Sequence, residues 1–303
     1  MGFLDRLTGG DQNPEREAER EASIAALEAG GLPLNAQRRL QELAADENAL
    51  FTSNMTVNGF VLSHKLGLDP VCQVMGSSIY KMGWQSRGWS TGQLNTQTAA
   101  LNNARALALG RLQQEAQLAG AHAVVDVTIT RGEHDFVSDS VEFIAIGTAV
   151  RVPDAPPGPP VLTDLSLGDY TKLVLSGYDP VGVVAASTVY YIVASWATRR
   201  AQGGGWFSGW NNQELTDFTQ GVYTARELAL SNLQRQAESL VCDGVVGVNI
   251  EQHLRTVKVG SESNEREDLL ITFHIIGTAI RGSGGPPLPI RPTINQAHPP
   301  GAR

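Results

Sequence analysis

The side chains that come nearest to a metal-binding pattern are Glu133, His134 and Asp135, which follow one another directly, and Glu251 with His253. Carboxylates beside an imidazole suit a hard or borderline divalent cation. A solvated turn between antiparallel strands uses the same residue types. A soft-metal site would need a Cys pair or a Cys/His cluster on adjacent turns, and Cys72 and Cys242 stand alone. His274 reads as a satisfied core or interface histidine. Catalysis has no constellation, because Ser77, Ser78, Ser187 and Thr188 have no aligned His and Asp to activate them. No glycine run carries the lysine of a phosphate-binding loop; Gly203-Gly204-Gly205 is followed by Trp206. The residues point to a protein that is not an enzyme and needs no cofactor.

Four tryptophans stand beside glycines: Trp84 and Trp89 in one stretch, Trp206 and Trp210 in another. Flat aromatics on loops could stack on a ligand or dip into a membrane surface. Burial across a subunit interface, where Trp is enriched, is the reading adopted for all four.

Composition bounds the partners. The 303 residues are 42% hydrophobic and 18% charged, with a formal net charge of −8. An acidic chain lacks the clustered Lys and Arg of a nucleic-acid footprint. No run of about 20 apolar residues could span a bilayer. The opening MGFLDRLTGG has no signal-peptide core and, with Arg6, fails the myristoylation pattern. A cytoplasmic protein is expected. The first 50 residues read as a charged helical segment, with helices over 14–29 and 35–45 behind the short apolar start Phe3, Leu4 and Leu7. The second helix is expected to turn Leu40 and Leu43 toward a partner protein, and the apolar start is expected to be a flexible tether.

The elements that would position these residues come twice. Asn54-Met55-Thr56-Val57 matches Asp164-Leu165-Ser166-Leu167 at an offset of 110, which also carries Gly67-Leu68-Asp69-Pro70-Val71 onto Gly177-Tyr178-Asp179-Pro180-Val181. The offset becomes 121 for Ala104-Arg105 onto Ala225-Arg226 and Val124-Val125 onto Val245-Val246, then 130 for 146–151 onto 276–281. Ordered matches with gaps only at loop-like places indicate an internal repeat. The units run over 51–151 and 162–281, joined by a proline-rich linker (152–161) that is expected to space them. The tail, 282–303, reads as disordered.

Each unit has one plan. Thr56 and Ser166 are N-caps of a short helix that ends at Gly67 or Gly177. A strand follows, then a long helix over 98–119 or 219–240. Leu101, Ala104, Ala108, Leu112, Ala116 and Ala119 share one face of it. Val125, Val127 and Ile129 alternate with polar residues as in a half-buried strand. The last strand, 140–151 or 269–281, is apolar on both faces, so a second layer must cover it.

The stretches LAGAHAVVDV (118–127) and IAIGTAVR (144–151), with LVCDGVVGVNI (240–250) and IIGTAIR (275–281), resemble the YbjQ-like domain family, which carries a heavy-metal-binding label. The resemblance implies an α+β fold: two tandem β-α-β-β units of dodecin-like shape, each a helix on an antiparallel sheet, that assemble into rings. The function expected is a homo-oligomeric assembly or partner-binding protein. The alternative is a metal-ion-binding protein using Glu133, His134, Asp135, Glu251 and His253.

Overall fold

The structure, a computed structural model, describes residues 14–46, 50–83, 90–133, 140–202, 214–260 and 266–283. It opens with α1 (Pro14–Glu28) and α2 (Leu34–Ala45). This helical pair is docked on the first unit, and the start that reads as a flexible tether, Phe3, Leu4 and Leu7, lies outside the described residues. Leu40 is fully buried in the first unit's core. Arg39 Nη2 meets Glu115 at 2.9 Å, and Arg111 donates to Gly31 O and Leu27 O at 3.1 and 3.0 Å. One buried leucine and two clamped guanidinium groups give the segment a fixed seat.

The first unit comprises α3 (Val57–Lys65), β1 (Asp69–Lys81), the short β2 (Gly92–Gln93), α4 (Asn95–Leu118), β3 (Ala123–Glu133) and β4 (Ser140–Arg151). Then come β5 (Val161–Leu162), α5 (Leu167–Leu175), β6 (Tyr178–Ile192), α6 (Trp196–Gln202), α7 (Thr216–Ser239), β7 (Gly244–Val259) and β8 (Arg266–Gly282). The sheets run β1-β4-β3-β5 and β2-β6-β8-β7. Both belong to a mixed α+β fold. The order of main elements recurs, and bulges fall at matching places: Pro70/Cys72 with Pro180/Gly182, and Val125/Thr128 with Val246/Asn249.

Local chemistry sets the helix ends. Thr56 Oγ1 accepts from Gly59 N and Ser166 Oγ from Asp169 N, each at 3.1 Å. Gly67, Gly120 and Gly177 follow helices with φ of 68°, 69° and 81°, a conformation cheap only for glycine. The long helices begin three residues earlier than the apolar pattern suggests, at Asn95 and Thr216. For α4 the cause is tertiary: Leu94 N donates to Val189 O of β6 at 2.9 Å.

The strand alternation needs correction at Asp126, whose φ of 55° marks the bulge. The phase shifts there. Val124 and Val127 face α4, whereas Val125 joins Leu68, Val150 and Leu167 in a separate cluster.

The two units are built into each other. Val161 and Leu162 add in parallel to β3, opposite Ala123 and Val124. The last residue of the linker, Val161, is therefore paired into the first sheet. In return, β2 pairs with β6 of the second sheet. Helix α4 lies between the sheets. Leu101, Ala104, Ala108, Leu112 and Ala116 pack into the first unit's core, while Thr98, Asn102 and Arg105 reach β6. Helix α7 buries only its sheet-facing Gly221, Ala225, Ala229, Leu233 and Ala237. On β4, Val141, Phe143 and Ala145 are buried, but Ile144 and Ile146 are only half-covered within one chain. No helix among the described residues is long and apolar enough to cross a membrane.

Candidate functional site

The first sheet, at β3 and β4, meets the second sheet, at β6, β7 and β8. Between them lies a cleft of about 380 Å³, lined by Ile129, Arg131 and Phe143 from one side and Asn249, Glu251, His274 and Ile276 from the other. Arg105 and Ala185 line it as well, with Asp164.

His274 is the centre of its hydrogen bonding. Ser187 on β6 and Glu251 on β7 are its cross-strand neighbours. Its Nδ1 is 2.7 Å from Ser187 Oγ, and its Nε2 is 3.2 Å from Arg131 Nη1. A guanidinium can only donate, so Nε2 is the acceptor and Nδ1–H donates to the serine. Burial, then the charges of Arg131, Arg105 and His253, push the His274 pKa down to about 3. Arg105 donates to Ser187 Oγ at 2.5 Å, to Asn102 Oδ1 at 2.5 Å and to Ala185 O. Burial lowers its pKa to about 10, which leaves it charged at neutral pH. Burial also raises the Asp164 carboxyl, against the Thr278 hydroxyl that donates to it.

This arrangement supplies Ser187 with the aligned histidine that no sequence pattern indicated. The pair does not make a nucleophile. The imidazole's lone pair faces Arg131 rather than the serine, and a base with a pKa near 3 accepts no proton at neutral pH. What the groups do is join α4, β3, β6 and β8 across the contact between units.

The proposed metal ligands are only partly brought together. Glu251 and His253 lie on β7 opposite His274 and Thr272, and the His253 ring is 5.7 Å from the His274 ring. Glu133 closes β3 opposite Val141, and His134 and Asp135 lie outside the described residues. Among the described residues no group of three His, Cys, Asp or Glu side chains is placed to hold a metal. Arg105 and Arg131 share the cleft with the carboxyl groups of Asp164 and Glu251, so its carboxylates already face guanidinium charges. Trp84, Trp89, Trp206 and Trp210 also lie outside the described residues. Trp196, which the sequence reading passed over, opens α6 on the surface with the Arg200 guanidinium 5.3 Å from its ring. Arg105 and Arg131 were passed over as well, although the recurrence of Arg105 as Arg226 was a usable signal.

Comparison with known proteins gives two kinds of match. Residues 50–153 match the YbjQ_1 family, described as "Putative heavy-metal-binding". Over 241 residues the chain is 35% identical to the Encapsulin nanocompartment protein Rv1762c of Mycobacterium tuberculosis, covering 77% of this chain and 87% of that protein. A UPF0145 protein of Clostridium perfringens is 34% identical over 64 residues, 21% of this chain and 58% of that protein. No solved structure matches the chain significantly.

Proposed function

We propose that this chain, which belongs to the family of the mycobacterial Encapsulin nanocompartment protein Rv1762c, is a non-enzymatic building block that self-assembles in the setting of a protein nanocompartment. The setting comes from that relative's name. The self-assembly rests on one observation: the two units join by strand addition, Val161–Leu162 on β3, with α4 shared between both sheets. A fold unit that adds to a neighbour's open sheet edge has the means to add to further copies.

In this reading the units are duplicated YbjQ-like domains of dodecin-like shape, and the assembly is a closed symmetric ring. Trp84, Trp89, Trp206 and Trp210 are assigned to its subunit contacts. The cleft's polar groups hold the units in register and carry no chemistry. The test is the mass of the untagged full chain by size-exclusion chromatography with light scattering. A uniform multiple of 32.4 kDa is expected. A well-behaved monomer at micromolar concentration would remove the proposal.

A further inference from the structure

We infer that the contact joining the two units of one chain is repeated between chains, with the second unit of one copy seated on the first unit of the next. This rests on the self-assembly reading and names its surfaces.

Inside the chain the first unit offers α4 and the outer edge of β3. The second unit receives them on its lead segment, on α5 and on the face of β6. Leu167, the first residue of α5, is 0% exposed against the first unit; Val57, its counterpart at the 110 offset, opens α3 at 80% exposure. On β6, Ala185 and Val189 are 3% and 4% exposed beneath α4, whereas their counterparts on β1, Met75 and Ile79, are 47% and 54% exposed. Ser187, which receives Arg105, has its counterpart in Ser77. The first unit thus keeps open the surface that the second unit has covered.

The complementary surface is bare at the other end. Arg226 and Tyr223 of α7, counterparts of Arg105 and Asn102 at the 121 offset, face solvent. Among the described residues, β7 ends its sheet with no strand on its outer side, although its counterpart β3 receives Val161–Leu162. Thr163 N donates to Val124 O, and Asp126 N and Val127 N donate to Leu165 O and Thr163 O. Shifting each residue by its offset places Ser53 N against Val245 O, and Gly247 N and Val248 N against Met55 O and Ser53 O. The same shift puts Thr52 opposite Val245. Gln113 Nε2 holds Pro160 O at 2.8 Å in the chain's own contact; Gln234 occupies its place on the exposed side of α7. Strand edge, helix face, anchor residue and side-chain clamp therefore match as one set. The contact is head-to-tail, and the occupant is a second copy of this chain.

The test uses the full chain. Val57→Asp alters a solvent-facing position in the first turn of α3, where an acidic residue suits the helix dipole, so the protomer folds. Its mass is expected to fall from the wild-type multiple to 32.4 kDa. Thr52→Cys and Val245→Cys, combined in one chain and oxidised, are expected to give a covalent ladder that neither single variant gives. A mixture of the two single variants should stop at a dimer. If the wild type assembles but Val57→Asp keeps its mass and no ladder forms, this contact is wrong and assembly uses another surface. A monomeric wild type defeats the self-assembly reading itself.

Discussion

His274 Nδ1 stands 2.7 Å from Ser187 Oγ, a spacing shared with nucleophile–base pairs, yet here the bond ties β8 to β6 beneath Arg105. The histidine is held neutral, since its pKa is pushed down to about 3. An unfolded histidine titrates near 6.5, so the unfolded chain takes up the extra proton as pH falls. The associated stability is complete above pH 6.5 and is lost progressively as pH falls toward 3. Urea unfolding should show a loss of about 1 kcal/mol per pH unit below pH 6 from this group. His274→Asn keeps a polar partner for Ser187 and cannot titrate, so its stability should vary less between pH 7.5 and 5. An unchanged slope would show that the group is not held neutral.

Glu115 on α4 accepts from Met75 N at 2.9 Å and pairs with Arg39 at 2.9 Å. In the second unit Gln236 takes the corresponding place and accepts from Ala185 N at 3.2 Å. The backbone bond therefore does not require a charge. Glu115→Gln should cost under about 1 kcal/mol, the value of a half-exposed ion pair. Glu115→Ala should cost about 1–3 kcal/mol, because Met75 N and Arg39 both lose their acceptor. Thermal unfolding of the two variants checks the order.

Much of this fold was legible because its signals are local. Caps at Thr56 and Ser166, glycine ends at Gly67 and Gly177, and the alanine stripe of α4 depend on backbone chemistry and one apolar face. That Leu40 and Leu43 of α2 face a partner was legible, but the seat of α1 and α2 on their own chain was not. It depends on Arg39 and Arg111 finding acceptors more than 70 residues away along the chain. The phase shift at Asp126 escaped for a related reason: an aspartate in the left-handed region looks like any polar strand position until its N–H is seen bonded to Leu165 O. The cleft was invisible because Arg131 and His274 meet only once two sheets are placed together.

The metal reading makes a separable demand. His274 has both ring nitrogens engaged, and two guanidinium groups share its cleft. Elemental analysis of protein purified without a metal-affinity tag should find no stoichiometric transition metal. His134→Ala and His253→Ala should leave the metal content unchanged. One tightly held ion per chain that disappears in either variant would shift the assignment to metal binding.

Leu167 and Val57 open equivalent helices, and truncating each to alanine separates a filled contact from an unfilled one. Leu167 packs with Leu68, Ala123, Val125 and Val150 across the junction between units. Its loss leaves a cavity where β3, β4 and α5 meet, so Leu167→Ala should lower the unfolding free energy by about 2–5 kcal/mol. Val57 touches water in the single chain. At concentrations low enough to disperse the protein, Val57→Ala should stay within about 0.5 kcal/mol of wild type. Comparable costs for the two variants in the dispersed protein would mean that Val57 is covered within its own chain. The asymmetry between the two units, on which the junction's description depends, would then be wrong.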